Sequence, residues 1–223
     1  MDQTGNQVPA AFDAVLFDFT GVLCESPWAA IGGIGDQDGL SHDEVLEFML
    51  GPYDQDTDHP MHRLERGEIE LLAYVTDVQA RAEAAGLTLD FDRLRTLMSD
   101  LPVHKQMVGR IRTLRATGLR TALVTNNIRE AGDQWRSKVP LDELFDVVID
   151  SSAVGLRKPN PAIFHLALEQ LGGVDPGRAL FLDDHPGNVA GAEAAGLPAL
   201  LVDDVDEAIA DLDALLAGSV PSS

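Results

Sequence analysis

The sequence predicts an α/β fold: a doubly wound parallel sheet interrupted by a helical insertion. Three observations carry that prediction. Five short apolar runs recur along the chain at 14–17, 121–124, 147–149, 179–182 and 199–202, each bounded by polar or turn residues. Helical patterns alternate with the later runs, and the long stretch 25–104 contains no convincing strand. Runs this short and this continuously apolar suit strands buried on both faces, and strand–helix alternation is the pattern of a parallel sheet.

The elements follow in order. The first strand, at 14–17, ends on Asp18, and Gly21 then permits a sharp turn. Ser41 and Glu44 form a capping box ahead of a helix that reaches Leu50; Gly51, Pro52 and an acidic turn running to Pro60 separate it from a longer helix at 68–85. Asp90 caps a further helix ending near Ser99. Helices at 105–116, 129–138, 161–171, 189–195 and 206–216 then interleave with the four later strands. Asn160 before Pro161 marks one helix start, and Gly118 and Gly196 mark helix stops. An insertion of this length does not fit a tight crossover. The expected division is an α/β core from 1–24 and 105–223, with 25–104 as an all-helical cap over the carboxyl edge of the sheet.

Composition narrows the function classes. The 223 residues include 37 acidic and 16 basic side chains, a formal net charge of -21. Such a chain repels polyanions, which argues against nucleic acid and anionic membrane surfaces as partners. No apolar run approaches the roughly 20 residues of a membrane span, and the first residues lack an export signal. The single cysteine, Cys24, excludes an internal disulfide and fits a reducing compartment, so the expected location is cytoplasmic. Monomer and homodimer both remain open.

Four pieces carry chemistry, each at or just beyond the carboxyl end of an expected strand, where open parallel sheets bind ligands. They are Asp18 in DFTGVL, Thr125 in LVTNN, Lys158 in GLRKP, and Asp183 with Asp184 in LFLDDHPGN. Singly, each has a plain structural reading: a turn aspartate, a Thr-Asn turn, a surface lysine, a helix cap. Together and in this order they resemble the haloacid dehalogenase superfamily of phosphatases and phosphotransferases. The resemblance runs from Ala14 to Val202, and its nearest subgroup is the one containing the phosphatase domain of soluble epoxide hydrolase.

The resemblance implies a small phosphorylated metabolite as substrate and Mg2+ as cofactor. It makes Asp18 the nucleophile, Thr125 and Asn126 phosphate-binding residues, and Lys158 the fixed positive charge. Asp184 becomes a direct metal ligand with Asp183 in support, alongside Asp18 and the main-chain oxygen of Thr20. The residue types suit that chemistry. An attacking carboxylate splits one difficult hydrolysis into two steps, and phosphoryl transfer needs its equatorial oxygens neutralised by a hydroxyl, amides, an ammonium and a hard cation.

Thr20 departs from the family pattern, which usually has a carboxylate there as general acid and base. Losing that function typically costs about 10² to 10⁴ in rate. Three readings follow: a hydrolase that is slow or restricted to good leaving groups, including a phosphotransferase; a hydrolase using another proton carrier, with His185 and Glu25 nearest in sequence; or a catalytically silent metal- or ligand-binding relative. A dehalogenase would leave the Asp183–Asp184 pair without a purpose. A phosphonate hydrolase would need a cap lysine, and none lies between Glu25 and His104.

Within the cap, Asp58, His59, His62, Arg63 and Arg66 are expected to form a polar loop and a solvated helix start, with Arg63 the one candidate substrate contact. Trp28, Phe48 and Tyr53 either line the cap's underside or fill its small core, and core filling is the expectation.

Overall fold

A computed structural model describes residues 12–34, 39–92, 94, 96 and 101–218. Five parallel strands form one sheet in the order β3-β2-β1-β4-β5: β1 is Ala14–Phe17, β2 Arg120–Thr125, β3 Val147–Asp150, β4 Ala179–Asp183 and β5 Ala199–Leu201. Strand β1 is central. Its two-residue alternation splits the core: Val15 and Phe17 join one apolar cluster, while Ala14 and Leu16 join the other. Strand β4 repeats the division, with Leu180 and Leu182 on the first face and Ala179 and Phe181 on the second.

Between β1 and β2, helices α1 (Trp28–Gly32), α2 (His42–Leu50), α3 (Pro60–Glu65) and α4 (Leu71–Ala85) precede α5 (Lys105–Ala116). The capping box on α2 is present: the Glu44 amide donates to Ser41 Oγ, and the Ser41 amide donates to the Glu44 carboxylate at 2.8 Å. Helix α4 begins at Leu71 rather than residue 68, because Gly67 turns with positive φ and the chain is extended at Glu70. After Asp90, residues 91, 92, 94 and 96 are helical, and the expected end near Ser99 lies outside the described residues.

The expected helix at 129–138 is broken into a 3-10 turn, Arg129–Ala131, and α6, Gly132–Arg136. The break falls at Gly132, whose φ of 43° is not helical. Two short helices that periodicity cannot reveal, α7 (Leu141–Leu144) and α8 (Ser151–Val154), flank β3. Helices α9 (Pro161–Gln170), α10 (Pro186–Ala194) and α11 (Val205–Leu216) complete the chain. Helix α10 starts three residues before its expected position because the His185 side chain accepts from the Gly187 amide and Pro186 occupies the first turn.

Apolar residues of α5 and α11 cover the first face of the sheet, and those of α9 and α10 cover the second. A third cluster, which includes Ile31, Val45, Met49, Leu64, Tyr74 and Val78, is drawn from the segment between β1 and α5. This third cluster is distinct from the two that flank the sheet, and Ile128, just beyond β2, packs against it.

Candidate active site

Register brings the candidate residues together. Phe17 pairs with Leu123 on one side and Leu182 on the other, so Asp18, Thr125 and the Asp183–Asp184 pair emerge side by side at one edge of the sheet. The Asp18 amide donates to the Leu182 carbonyl at 2.9 Å, fixing the first loop against β4. Lys158 enters from the loop between α8 and α9. Its Nζ lies 2.7 Å from Asp18 Oδ1 and 2.7 Å from Asp183 Oδ2, and all three side chains are buried.

The carboxylates are held individually. Asp18 Oδ1 also accepts the Phe19 amide at 2.7 Å. Asp183 Oδ1 accepts the His185 amide at 2.8 Å and the Asn188 side chain at 3.0 Å. Asp184 Oδ2 accepts from Ser26 Oγ at 2.8 Å and from Trp28 Nε1 at 2.9 Å. One oxygen from each of Asp18, Asp183 and Asp184 falls within 4.8 Å of the others. Burial pushes Asp18 well above the usual carboxylate range, with Lys158 opposing and the two neighbouring aspartates adding to the rise. Burial and Asp183 likewise push Asp184 up to about 6. Lys158 is raised despite its burial, because two carboxylates face it.

Gly21 makes the approach possible. Its φ is 79°, and a Cβ there would sit 2.1 Å from Asp184 Cγ. Helix α10 is docked in the same way on the lysine loop, since a Cβ on Gly191 would lie 2.4 Å from the Pro159 carbonyl oxygen.

Thr125 is buried at the end of β2, and Thr20 lies in the first loop, bridging to Cys24. The Asn126 side chain faces protein: Oδ1 accepts the Lys158 amide at 2.8 Å, and Nδ2 donates to the Lys158 carbonyl at 3.0 Å. It clasps the lysine's main chain. Arg63 is not brought to the site; its guanidinium is exposed and pairs with Glu68 at 3.4 Å. The cap cluster is solvated in part: Asp58 and Arg63 are exposed, as expected, and the other three are not. His62 is fully buried, with Nδ1 accepting the Thr57 amide at 3.0 Å; His59 caps α3; and Arg66 is anchored by Asp56 and Glu68.

Several residues escaped the sequence reading. Arg157 is fully buried, donates from Nε to Glu65 Oε2 at 2.7 Å and from Nη1 to the Gln55 carbonyl at 2.7 Å, and lies 4.8 Å from the Tyr53 ring centroid. Tyr53 donates to the other Glu65 oxygen at 2.7 Å. Trp28, Phe48 and Tyr53 pack against the third apolar cluster, as expected, and Trp28 and Tyr53 also line a cavity together with Asp184, while Phe48 lies under the Arg81 guanidinium. The available signals were an arginine directly before the candidate lysine and a lone glutamate in the PMHRLE helix. Neither identifies its partner.

The model of the haloacid dehalogenase-like hydrolase family matches residues 12–196. The chain belongs to that family. This haloacid dehalogenase-like hydrolase is 32% identical over 211 residues to acyl-CoA dehydrogenase family member 10 of Mus musculus, covering 92% of the chain but 19% of that protein. It is 27% identical over 191 residues to bifunctional epoxide hydrolase 2 of Mus musculus, covering 79% of the chain and 34% of that protein. The chain thus spans about a fifth to a third of these relatives, and other relatives bear phosphatase names. Among solved structures, a predicted HAD-like hydrolase from Porphyromonas gingivalis superposes with a TM-score of 0.66 at 25% identity, covering 93% of this chain and 98% of the other. Among the described residues, no helix of this hydrolase is long and apolar enough to cross a membrane.

Proposed function

We propose that this hydrolase is a magnesium-dependent phosphatase of small phosphorylated metabolites, working through a phosphorylated Asp18, with residues 25–104 acting as its cap. The supporting observation is the Lys158 ammonium held 2.7 Å from both Asp18 and Asp183 beside a third carboxylate. Three hard oxygen donors, two of them buried, match the ligand preference of Mg2+. Asp18, Asp184 and the Thr20 main-chain oxygen would hold the ion, with Asp183 supporting. When bound, Mg2+ would neutralise negative charge on the phosphoryl oxygens.

The chain's own groups do the rest. Asp18 Oδ1 is engaged by Phe19 and Lys158, which leaves Oδ2 to attack phosphorus. The Oδ2–P bond forms as the bond from phosphorus to the leaving oxygen breaks, and the leaving group departs with the electron pair. Lys158 and the Thr125 hydroxyl stabilise charge on the equatorial oxygens, and the Asn126 clasp keeps the lysine in place. Thr20 has no proton to give near neutral pH. That residue favours the second reading, a phosphotransferase or a hydrolase selective for leaving groups that depart unprotonated.

The test is phosphate release from a panel of esters with Mg2+, comparing wild type with Asp18→Asn and Thr20→Asp and trapping any phosphoenzyme. Turnover by wild type and none by Asp18→Asn is expected. An inert wild type that gains activity only as Thr20→Asp would overturn the hydrolase reading, and a phosphoenzyme burst without turnover would favour phosphotransfer.

A further inference from the structure

Two cavities meet at Trp28 and Asp184, one of about 460 Å³ and one of about 350 Å³. The indole stands between them, and its N–H is tied to the Asp184 carboxylate at 2.9 Å. The smaller cavity therefore opens beside the carboxylate cluster rather than at a remote surface. Its walls are Trp28, Tyr53, His185, Leu46, Leu50 and two prolines.

The three rings form a box. Centroids of Trp28 and Tyr53 are 5.1 Å apart, those of Tyr53 and His185 5.1 Å, and those of Trp28 and His185 5.5 Å, all steeply inclined. Each ring has a polar atom committed to the protein. Trp28 Nε1 donates to Asp184, Tyr53 OH donates to Glu65, and His185 Nδ1 accepts from the Gly187 amide. Apart from the Nε2–H that His185 keeps when its Nδ1 accepts, the box offers a ligand carbon surface, in the edge and offset geometries that aromatic groups prefer.

Charge sharpens the choice. Among the described residues neither cavity is lined by lysine or arginine; Glu47 and His185 line the smaller, and Glu25, His104, Asp203, Asp204 and Asp206 line the larger. Arg157, which lies against the Tyr53 ring, is fully buried and paired with Glu65. A second anionic group on a substrate would meet these carboxylates and no lysine or arginine side chain, Mg2+ being engaged with the phosphoryl group. Size sets an upper limit. A closed apolar cavity of about 150 Å³ accepts benzene, so about 350 Å³ accommodates one substituted ring or two small ones and not a long chain.

We propose that the Trp28–Tyr53–His185 cavity is the leaving-group site and takes a compact, uncharged, ring-bearing group, so that the substrates are phosphate monoesters without a second anion. This rests on the phosphatase reading above, with the phosphoryl group at Asp18.

Non-hydrolysable phosphonates test it apart from turnover, by calorimetric titration of the full chain with Mg2+. Benzylphosphonate is expected to bind at least about tenfold tighter than methylphosphonate, as burial of a ring requires. A para-carboxylate on the ring is expected to remove that gain, and Glu47→Lys, a change at an exposed position, to restore part of it. Benzyl and methyl phosphonates binding within about twofold of each other would overturn the inference while leaving the phosphate site standing. So would tighter binding of the carboxylated ring, or of 2-aminoethylphosphonate, which the acidic larger cavity would favour. If neither inorganic phosphate nor any phosphonate bound, the phosphatase reading itself would fall, and this inference with it.

Discussion

Replacing Glu65 with leucine removes the partner of a guanidinium that has no exposure to water. Arg157 would keep the Gln55 carbonyl and the Tyr53 ring, and its nearest remaining carboxylate would be Asp56 at 4.0 Å. Among the described residues its Nη2 has no hydrogen-bond partner, so little slack remains to absorb the loss. Breaking a buried pair from one side typically costs about 3–5 kcal/mol, whereas replacing both members with apolar residues of similar volume is often close to neutral. For a chain of this size, each kcal/mol moves the melting temperature by roughly 2–4 °C, so Glu65→Leu is expected to lower it by about 6–20 °C. Arg157→Met combined with Glu65→Leu is expected to recover most of that drop. The assay is thermal unfolding of wild type, both single variants and the double variant, read as a double-mutant cycle. A Glu65→Leu melting temperature within about 2 °C of wild type would refute the reasoning, as would a double variant no more stable than the worse single one.

Further outcomes follow from other parts of the molecule. Burial pushes the Cys24 thiol up to about 12, so native protein at pH 8 is expected to react with a thiol reagent roughly a thousandfold more slowly than denatured protein; equal rates would show the thiol to be accessible. Gly191→Ala is expected to displace the Pro159 loop, lowering both stability and phosphate affinity, with unchanged phosphate titration as the contrary result. Burial, with Arg157 and His59 adding to it, lowers His62 to about 3, against an ordinary value near 6.5. Between those values the unfolded chain binds the extra proton, so stability is expected to fall as pH drops through that range. Urea midpoints for His62→Gln should then vary less between pH 6.5 and 5 than those of wild type; parallel curves would contradict the assignment.

The sequence made the sheet legible because buried parallel strands are written as local apolar runs: all five strands appear within a residue or two of the expected ranges, and α5 matches at both ends. Where a local rule competes with a stronger one, boundaries moved, as at Gly132 and at the His185 cap. Within the candidate site, Asp18, Asp183 and Asp184 converge because strand ends fix their positions, and Lys158 joins them from the loop ahead of α9. Asn126 illustrates the limit. Its place beside Thr125 is set by β2, yet the orientation of its amide is set by a main chain 32 residues away. Arg157 and Glu65, 92 residues apart, form a pair that no periodicity encodes. The aromatic box failed to show for the same reason: Trp28, Tyr53 and His185 come from three distant segments, and nothing local to any of them encodes the meeting.

The central place of β1 has a consequence for synthesis. Its neighbours in the sheet, β2 and β4, are encoded roughly a hundred and more than a hundred and sixty residues later. At about 5–20 residues per second, a ribosome spends roughly 8 to 30 s between completing β1 and completing β4. Throughout that interval a wholly apolar strand waits with at least one edge open, the condition that invites pairing with foreign chains. Nascent chains halted before β4 are expected to stay bound to holdase chaperones, and those extended past it to be released, so the order of strands in space sets a timetable for when this protein becomes safe to let go.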